Sequence, residues 1–470
     1  MIDGLRPYPE TKPSGLPWLG DLPAHWDVWR NGRLFGSRRE TGFPDLPVLE
    51  VSLRSGVRVR DFDNGTRKQE MGDRSKYQRA VRGDIAYNMM RMWQGAVGIA
   101  PVDGLVSPAY VVARPFAETD AAYYAYAFRT AAYMREVDTF SRGIVPDRNR
   151  LYWESFKQMP SVYPPLDEQR LIVRFLDWHG VQTAKLVRAK TKIIALLNEQ
   201  KQAIIHRAVT RGLDPNVRLK PSGIPWLGDV PEGWEVVPFK RRVGFQEGPG
   251  IMASDFRDEG IPLLRISGLH QDVATLEGCN FLDSEMVSKR WSHFKIRAGD
   301  YLLSSSASTG KVCRADALVE GAIPYTGIIR LWPLSADLSM PFLKHLIQAP
   351  VFQRQLNAMK SGVGIEHFGP THLKQIVVCL PPAPEQRAIV HHIELATFHL
   401  ATASAAIDRE IALIQEFRTR LIADVVTGKL DVRAAAPSLP EDIEPEPIDD
   451  LAEDDLDEAV DDAENEEVAA

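Results

Sequence analysis

Between Arg30 and Arg91 the chain places 14 Lys and Arg residues against 8 acidic ones. Cations at that density need solvent or a polyanion beside them, and the residue types fit the chemistry of DNA reading. Lys and Arg reach phosphates, while Arg, Asn, Gln and Ser reach base edges. The candidates are Arg54, Arg58, Arg60, Lys68, Lys76, Arg79 and Arg91, followed by Arg142, Arg148 and Asn149. A second set lies further on: Arg265, Lys289, Arg290, Lys295, Arg297 and Lys311, with Ser306 among interleaved hydroxyls. Any single one of these is also read as solvated surface, so the clustering carries the argument. Double-stranded DNA is the partner that this chemistry implies.

The net charge of −7 seems to oppose such a partner until it is divided along the chain. Residues 437–470 hold 16 acids and no Lys or Arg; the rest carries 56 bases against 47 acids, a net of +9. The tail reads as a disordered solubilising extension, with shielding of a basic surface as its alternative.

Motifs for catalysis are missing. There is no S-adenosylmethionine glycine motif and no Asn-Pro-Pro-aromatic run for amino methylation. Gly310-Lys311 has Ser305 where a phosphate loop needs Gly and Val312 where it needs Ser or Thr. Asp147, Glu154 and Lys157 fail the carboxylate-x-lysine order of a metal-dependent nuclease. His391, His392 and His399 share a helix, where solvent or packing is the simpler fate than metal. Cys279, Cys313 and Cys379 stand without a C-x-x-C pair. No catalytic residue and no metal site is expected. The N-terminus lacks a basic region followed by an apolar run, and no stretch approaches 18 uncharged apolar residues. A soluble cytoplasmic protein is the expectation.

The elements that would position these cations come from an internal repeat. Lys12 to Val28 reads KPSGLPWLGDLPAHWDV and Lys220 to Val236 reads KPSGIPWLGDVPEGWEV, identical at 12 of 17 positions. A second block, PPLDEQRLIV from Pro164, returns as PPAPEQRAIV from Pro381, and AVTRGLD from Ala208 aligns with VVTGKLD from Val425. Prolines and glycines make the first block an ordered loop pinned by Trp18, Trp26, Trp226 and Trp234.

The second blocks open long helices of about 44 residues, roughly 65 Å at 1.5 Å per residue. Their apolar seam is assigned to Ile172, Leu176, Leu186, Ile193, Leu197 and Ile204, and to Ile389, Ile393, Ala396, Leu400, Ala403, Ile407, Ile414, Phe417 and Leu421. The regions between the blocks diverge, sharing a Gly-Asp before an apolar run (Gly83-Asp84, Gly299-Asp300) and a Lys-Gln (Lys157-Gln158, Lys374-Gln375). Strands are expected at Val48–Ser52, Ile85–Met89, Tyr110–Ala113, Leu263–Ser267, Tyr301–Ser304 and Ile328–Trp332, and helices at Ala121–Asp138 and Phe342–Met359.

These motifs, twice over and in the same order, resemble the specificity subunit of type I restriction-modification enzymes, from residue 1 to about 433. The run YNMMRMWQGAVGIAPVDGLVSPAYVV from Tyr87 also resembles one variant of that family's target recognition domains. The resemblance implies an α/β chain. Two target recognition domains would be joined by two long helices that form an antiparallel coiled coil, in a pseudo-twofold repeat. The expected segments are 1–163, 164–211, 212–380, 381–433 and the tail 434–470. The resemblance also implies a non-catalytic chain that reads an asymmetric bipartite DNA target. Its partners would be two methyltransferase subunits and translocating restriction subunits, which carry S-adenosylmethionine, ATP and magnesium. A coiled-coil scaffold, or a DNA-binding protein outside restriction-modification, is the alternative.

Overall fold

The computed structural model describes residues 5–440 except 54, 61–73, 143–148, 225–226, 271, 307–309 and 360–367. The chain falls into two compact units, Met1–Lys190 with Arg409–Ala470, and Thr191–Asp408. Both long helices are continuous, Leu166–Arg211 and Ala383–Val426. Gly180 does not break the first.

In the first unit the anchor motif is a hairpin, Thr11–Pro13 against Asp21–Pro23, rather than a plain loop. Strands of three residues ending in proline suffice because they are edges with little ladder to lose. The chain continues as Asp27–Arg30, which pairs antiparallel with Pro160–Tyr163, the strand just before the long helix. The variable region is thereby gripped at both its ends. Inside it lies a four-stranded antiparallel sheet in the order Phe35–Arg38, Tyr110–Pro115, Ile85–Asn88, Val97–Ile99. The expected helix over 121–138 is two helices, Ala121–Phe128 and Ala131–Phe140, because Thr130 is extended and caps the second by accepting from Tyr133 N–H.

The second unit repeats this plan on a different sequence. Its hairpin is Leu219–Pro221 with Asp229–Pro231, and Glu235–Pro238 pairs with Val377–Leu380. Its sheet runs Val243–Glu247, Ile328–Pro333, Tyr301–Ser304, Val312–Arg314, the same strand order as before. The strand expected to Ser267 stops at Leu264 and gives way to a 3-10 turn at Ile266–Gly268. The helix expected over 342–359 is again two, Met340–Gln348 and Pro350–Met359, split by Pro350, which cannot donate into a helix interior.

The second tryptophan of each anchor motif lies beneath a glycine that ends a long helix of the other repeat, while Trp18 packs edge-on against Tyr133 and Trp226 lies outside the described residues. Trp26, fully buried, and Pro23 lie against Gly428; Trp234 lies against Gly212. Both glycines have positive φ, 77° and 73°. A Cβ at Gly428 would come within 2.3 Å of Pro23, and one at Gly212 within 2.8 Å of Glu385.

Within the first unit, Ile172, Phe175 and Leu176 share a core with Leu421, Val425 and Val426. Further along, Arg418 lies near Gly180, and Lys190 forms an ion pair with Glu410. Rising numbers on one helix meet falling numbers on the other. Within the second unit, Ile205, Ala208 and Val209 share a core with Ile389 and Ile393.

The seam departs from the expected one by a single residue. Leu186 and Ile193 are 48% and 46% exposed, as is Phe417 at 50%. The covered positions are Thr183, Val187 and Lys190 in the first unit and Ile194, Leu197, Lys201 and Ile204 in the second. A 3-4 phase carried on from Ile172 and Leu176 admits Gly180 and Lys190, whose stem is covered while its ammonium reaches Glu410. The sequence places His179, Thr183 and Lys190 in the seam as its weak points, aligned with Ala396, Leu400 and Ile407, and Thr183 and Lys190 are covered as that alignment expects; Leu186 and Ile193 are the positions out of phase. Leu400, Ile407 and Ile414 are half-buried, and Ile389, Ile393 and Leu421 buried.

Gly180→Ala should stabilise the fold by about 1 kcal/mol, since a Cβ there meets only Arg418 at 3.8 Å and helical glycine costs about that much. Gly428→Ala should lose at least about 2 kcal/mol through left-handed backbone and clash. Urea unfolding followed by circular dichroism distinguishes the two signs.

Candidate nucleic-acid interface

The repeated Gly-Asp is a turn that holds each sheet. Gly83 and Gly299 take φ of 93° and 91°. Asp84 accepts from Val81 N–H at 2.9 Å and from Arg38 Nε at 2.6 Å, and Asp300 accepts from Arg297 N–H at 2.9 Å with Arg330 Nε at 3.4 Å. Burial raises the Asp300 pKa and lowers that of Arg330, opposing the attraction between them. These charges are structural.

The E-Q of the repeated helix start joins helix to variable region. Gln169 accepts from Asp120 N–H at 2.8 Å and donates to the carbonyls of Pro164, 2.8 Å, and Glu118, 3.4 Å. Gln386 accepts from Ser339 N–H at 2.7 Å and donates to the carbonyls of Pro381, 2.9 Å, and Asp337, 3.1 Å. Asp120 and Ser339 are the N-caps of Ala121–Phe128 and Met340–Gln348. The neighbouring glutamates differ: Glu168 accepts from Tyr8 Oη at 2.5 Å with His25 Nε2 at 2.7 Å, whereas Glu385 accepts from Trp234 Nε1 at 3.1 Å. The repetition of E-Q was the available signal for these roles, but the sequence reading used it only to place a helix start.

Several of the expected DNA-contacting residues already have partners within their unit, and four of them, Arg58, Arg60, Arg79 and Lys289, are in ion pairs. Arg58 sits across a hairpin from Glu50, 2.6 Å away, and Arg60 shares that carboxylate at 3.8 Å. Arg79 pairs with Asp103 at 2.7 Å and Glu40 at 3.3 Å, and holds the Asp103 carboxyl below its usual range. Arg91 donates to Gln94 at 3.0 Å, and Lys289 pairs with Glu285 at 2.5 Å. Arg265 lies over the Tyr325 ring at 4.3 Å and donates to Asn280 at 3.3 Å. Asn149 reaches Asp138 at 3.5 Å.

Among the described residues Lys76 and Arg142 are exposed in the first unit with no side-chain ion pair, as are Arg290, Arg297 and Lys311 in the second. Lys295 is half-buried, and its carbonyl accepts from Arg330. Ser304 and Ser305 are fully buried, and Ser306 packs against Gly327, so that hydroxyl run serves the interior first. Arg54, Lys68 and Arg148 lie outside the described residues. Lys76 ends the short helix Arg74–Lys76 and Arg290 lies in the helical segment Val287–Trp291, so the exposed cations do not share one kind of element.

Arg129 has no counterpart among the sequence candidates. Its guanidinium is largely buried, donates to the Leu53 carbonyl at 2.5 Å and has its pKa lowered by desolvation. It thus holds the turn between Leu49–Ser52 and Gly56–Val59. Nothing in its helical surroundings marks it in the sequence. Cys313 and Cys379 are buried, which pushes each thiol up to about 12 and makes neither a nucleophile. No group of three or more His, Cys, Asp or Glu among the described residues is placed to hold a metal ion, and no described helix is long and apolar enough to cross a membrane.

Comparison with known proteins agrees with this plan. Residues 231–396 match the family model described as Type I restriction modification DNA specificity domain. The chain is 24% identical over 282 residues to the type I restriction enzyme MjaVIII specificity subunit of Methanocaldococcus jannaschii, covering 59% of this chain and 64% of that one. It is 23% identical over 288 residues to the type I restriction enzyme EcoBI specificity subunit of Escherichia coli, covering 59% and 60%. The matches thus span less than two thirds of either relative. In fold it is similar to a solved chain from a study of complex assembly and conformational transition of the type I R-M system. The TM-score is 0.61 at 15% identity, over 86% of this chain and 98% of that one. The fold is a mixed helix-and-sheet one of the kind seen in that solved chain, and over the matched spans the chain is similar to specificity subunits of type I restriction enzymes.

The division between committed and free cations predicts a difference in salt dependence. Lys76→Ala and Arg297→Ala should each lower the log-log salt slope of DNA binding by about 0.9 where a phosphate contact is lost. Arg79→Ala, already balanced by Glu40 and Asp103, should leave the slope unchanged. Fluorescence anisotropy from low to moderate salt measures it.

Proposed function

We propose that this chain is the non-catalytic DNA-reading subunit of a type I restriction-modification complex. It reads an asymmetric bipartite target, one variable region per half-site, and docks two methyltransferase subunits and the restriction subunits. S-adenosylmethionine, ATP and magnesium belong to those partners. The two long helices act as an antiparallel coiled coil that spaces the two reading heads. The observation that carries this reading is that two regions of unlike sequence share one sheet order and one pair of grips, while their exposed cations differ. A single-site binder has no need of two such heads. A plain scaffold has no need for them to diverge.

Exchange of residues 29–163 for the matching region of a relative tests it. Methylome sequencing of cells carrying the exchanged chain should show one half of the methylated motif changed and the other half retained. A change in both halves, or no methylated motif dependent on this chain, would refute the two-head reading.

A further inference from the structure

Residues 441–470 hold 16 acids and no Lys or Arg, and two DNA-reading regions leave them without a task. Their place in the chain is informative. Up to Pro440 the net charge of +9 is unevenly shared between the units. Residues 1–190 with 409–440 have 33 Lys and Arg against 26 acids, a net of +7, whereas residues 191–408 have 23 against 21, a net of +2. Most of the first unit's excess lies in its variable region, where residues 29–163 hold 21 bases against 15 acids. The acidic segment therefore continues from the unit that carries most of the positive charge.

That unit also holds the chain up to the point where the acids begin. Asp431 donates its N–H to the Arg6 carbonyl at 2.8 Å, and Val432 and Ala436 are fully buried. Leu439 packs on the same core as Phe35, Tyr87 and Val111 of the variable sheet. Residue 441 thus starts from the body that carries the cations, and 30 residues reach at most about 100 Å from it. In that body Arg39, Lys76, Arg82, Arg114, Arg135 and Arg142 are exposed, with no side-chain ion pair among the described residues. Solubility alone would be served by charge of either sign, and the chain up to Pro440 already has +9. Tethering replaces a bimolecular encounter with an intramolecular one, so that even weak, screened ion pairs are populated.

We propose that residues 441–470 lie back on the exposed cations of residues 29–163 in the same chain and compete there with DNA. Carboxylates offer those cations what phosphates offer, closely spaced negative charge, but make no base contact, so DNA displaces them. The tail thereby weakens the hold of the first variable region on DNA of any sequence and adds nothing to its choice of sequence. The second unit, with a net of +2 and no acidic segment of its own, stands outside this control. The inference rests on the reading of the chain as a DNA-binding subunit, and adds regulation to the first of its two regions.

The test compares the full-length chain with a full-length variant in which the 16 tail acids are changed to Asn or Gln. A carbodiimide joins a carboxylate to a lysine only where the two touch, and mass spectrometry of the cross-linked monomer identifies the pair. At low salt the tail of the unaltered chain should link to lysines of residues 29–163, Lys76 first among them, and excess duplex DNA or high salt should abolish the links. By fluorescence anisotropy the variant should bind a duplex of unrelated sequence about tenfold more tightly at low salt, with the difference gone at high salt. Both chains should show the same helicity and melting temperature. Tail links that miss residues 29–163, links between two chains, or no links would overturn the proposal. Tighter DNA binding by the variant without such links would show that the tail only repels DNA at a distance, which overturns it too. If the links to Lys76 form but neither chain binds DNA at any salt, the functional reading fails and the competition with it, while the contact itself stands.

Discussion

The contact on which the structure depends is that of the second tryptophan in each anchor motif with the glycine ending a long helix of the other repeat. Trp26 beneath Gly428 and Trp234 beneath Gly212 tie the beginning of one repeat to the end of the other. A helix of more than 40 residues held at one end only would be free to fray and swing. Glycine is demanded on two grounds at these positions, the left-handed backbone and the lack of room for Cβ. The second ground explains why the motif around the helix end repeats with a one-residue slip: what must coincide is the glycine beneath the tryptophan, not the count of residues before it.

The sequence made the scaffold legible because scaffold is what repeats. The Pro-Gly-Trp blocks, the E-Q helix starts and both long helices were visible as duplicated text, and Gly83-Asp84 with Gly299-Asp300 stood out as a shared Gly-Asp before an apolar run. The shared strand order of the two variable regions left no such trace, since it is held by backbone pairing and by alternation that many sequences satisfy. The breaks at Thr130 and Pro350 were missed because apolar periodicity runs straight through them; the proline itself was the neglected signal. The seam slipped from Val187 and Ile194 to Leu186 and Ile193 because hydrophobicity was weighed above phase.

The candidate interface was legible only as a density of charge. Counting cations could not show that Glu50 serves both Arg58 and Arg60, or that Asp103 and Glu40 close around Arg79, because those partners are far apart in sequence and near only across strands. The ion pairs lower the free positive charge of each unit and leave few of the expected cations exposed and unpaired among the described residues.

The buried glutamines bear on how such a chain changes over time. Every bond that Gln169 and Gln386 make goes to a main-chain atom. The coupling between helix and variable region therefore places no demand on which side chains the variable region carries, only that a helix begin at that spot. A joint of this kind works as a universal socket. Whatever region stands between the two grips is held by the same main-chain bonds, so a new variable region that begins a helix at that spot arrives already mounted, with no compensating mutation needed in the frame.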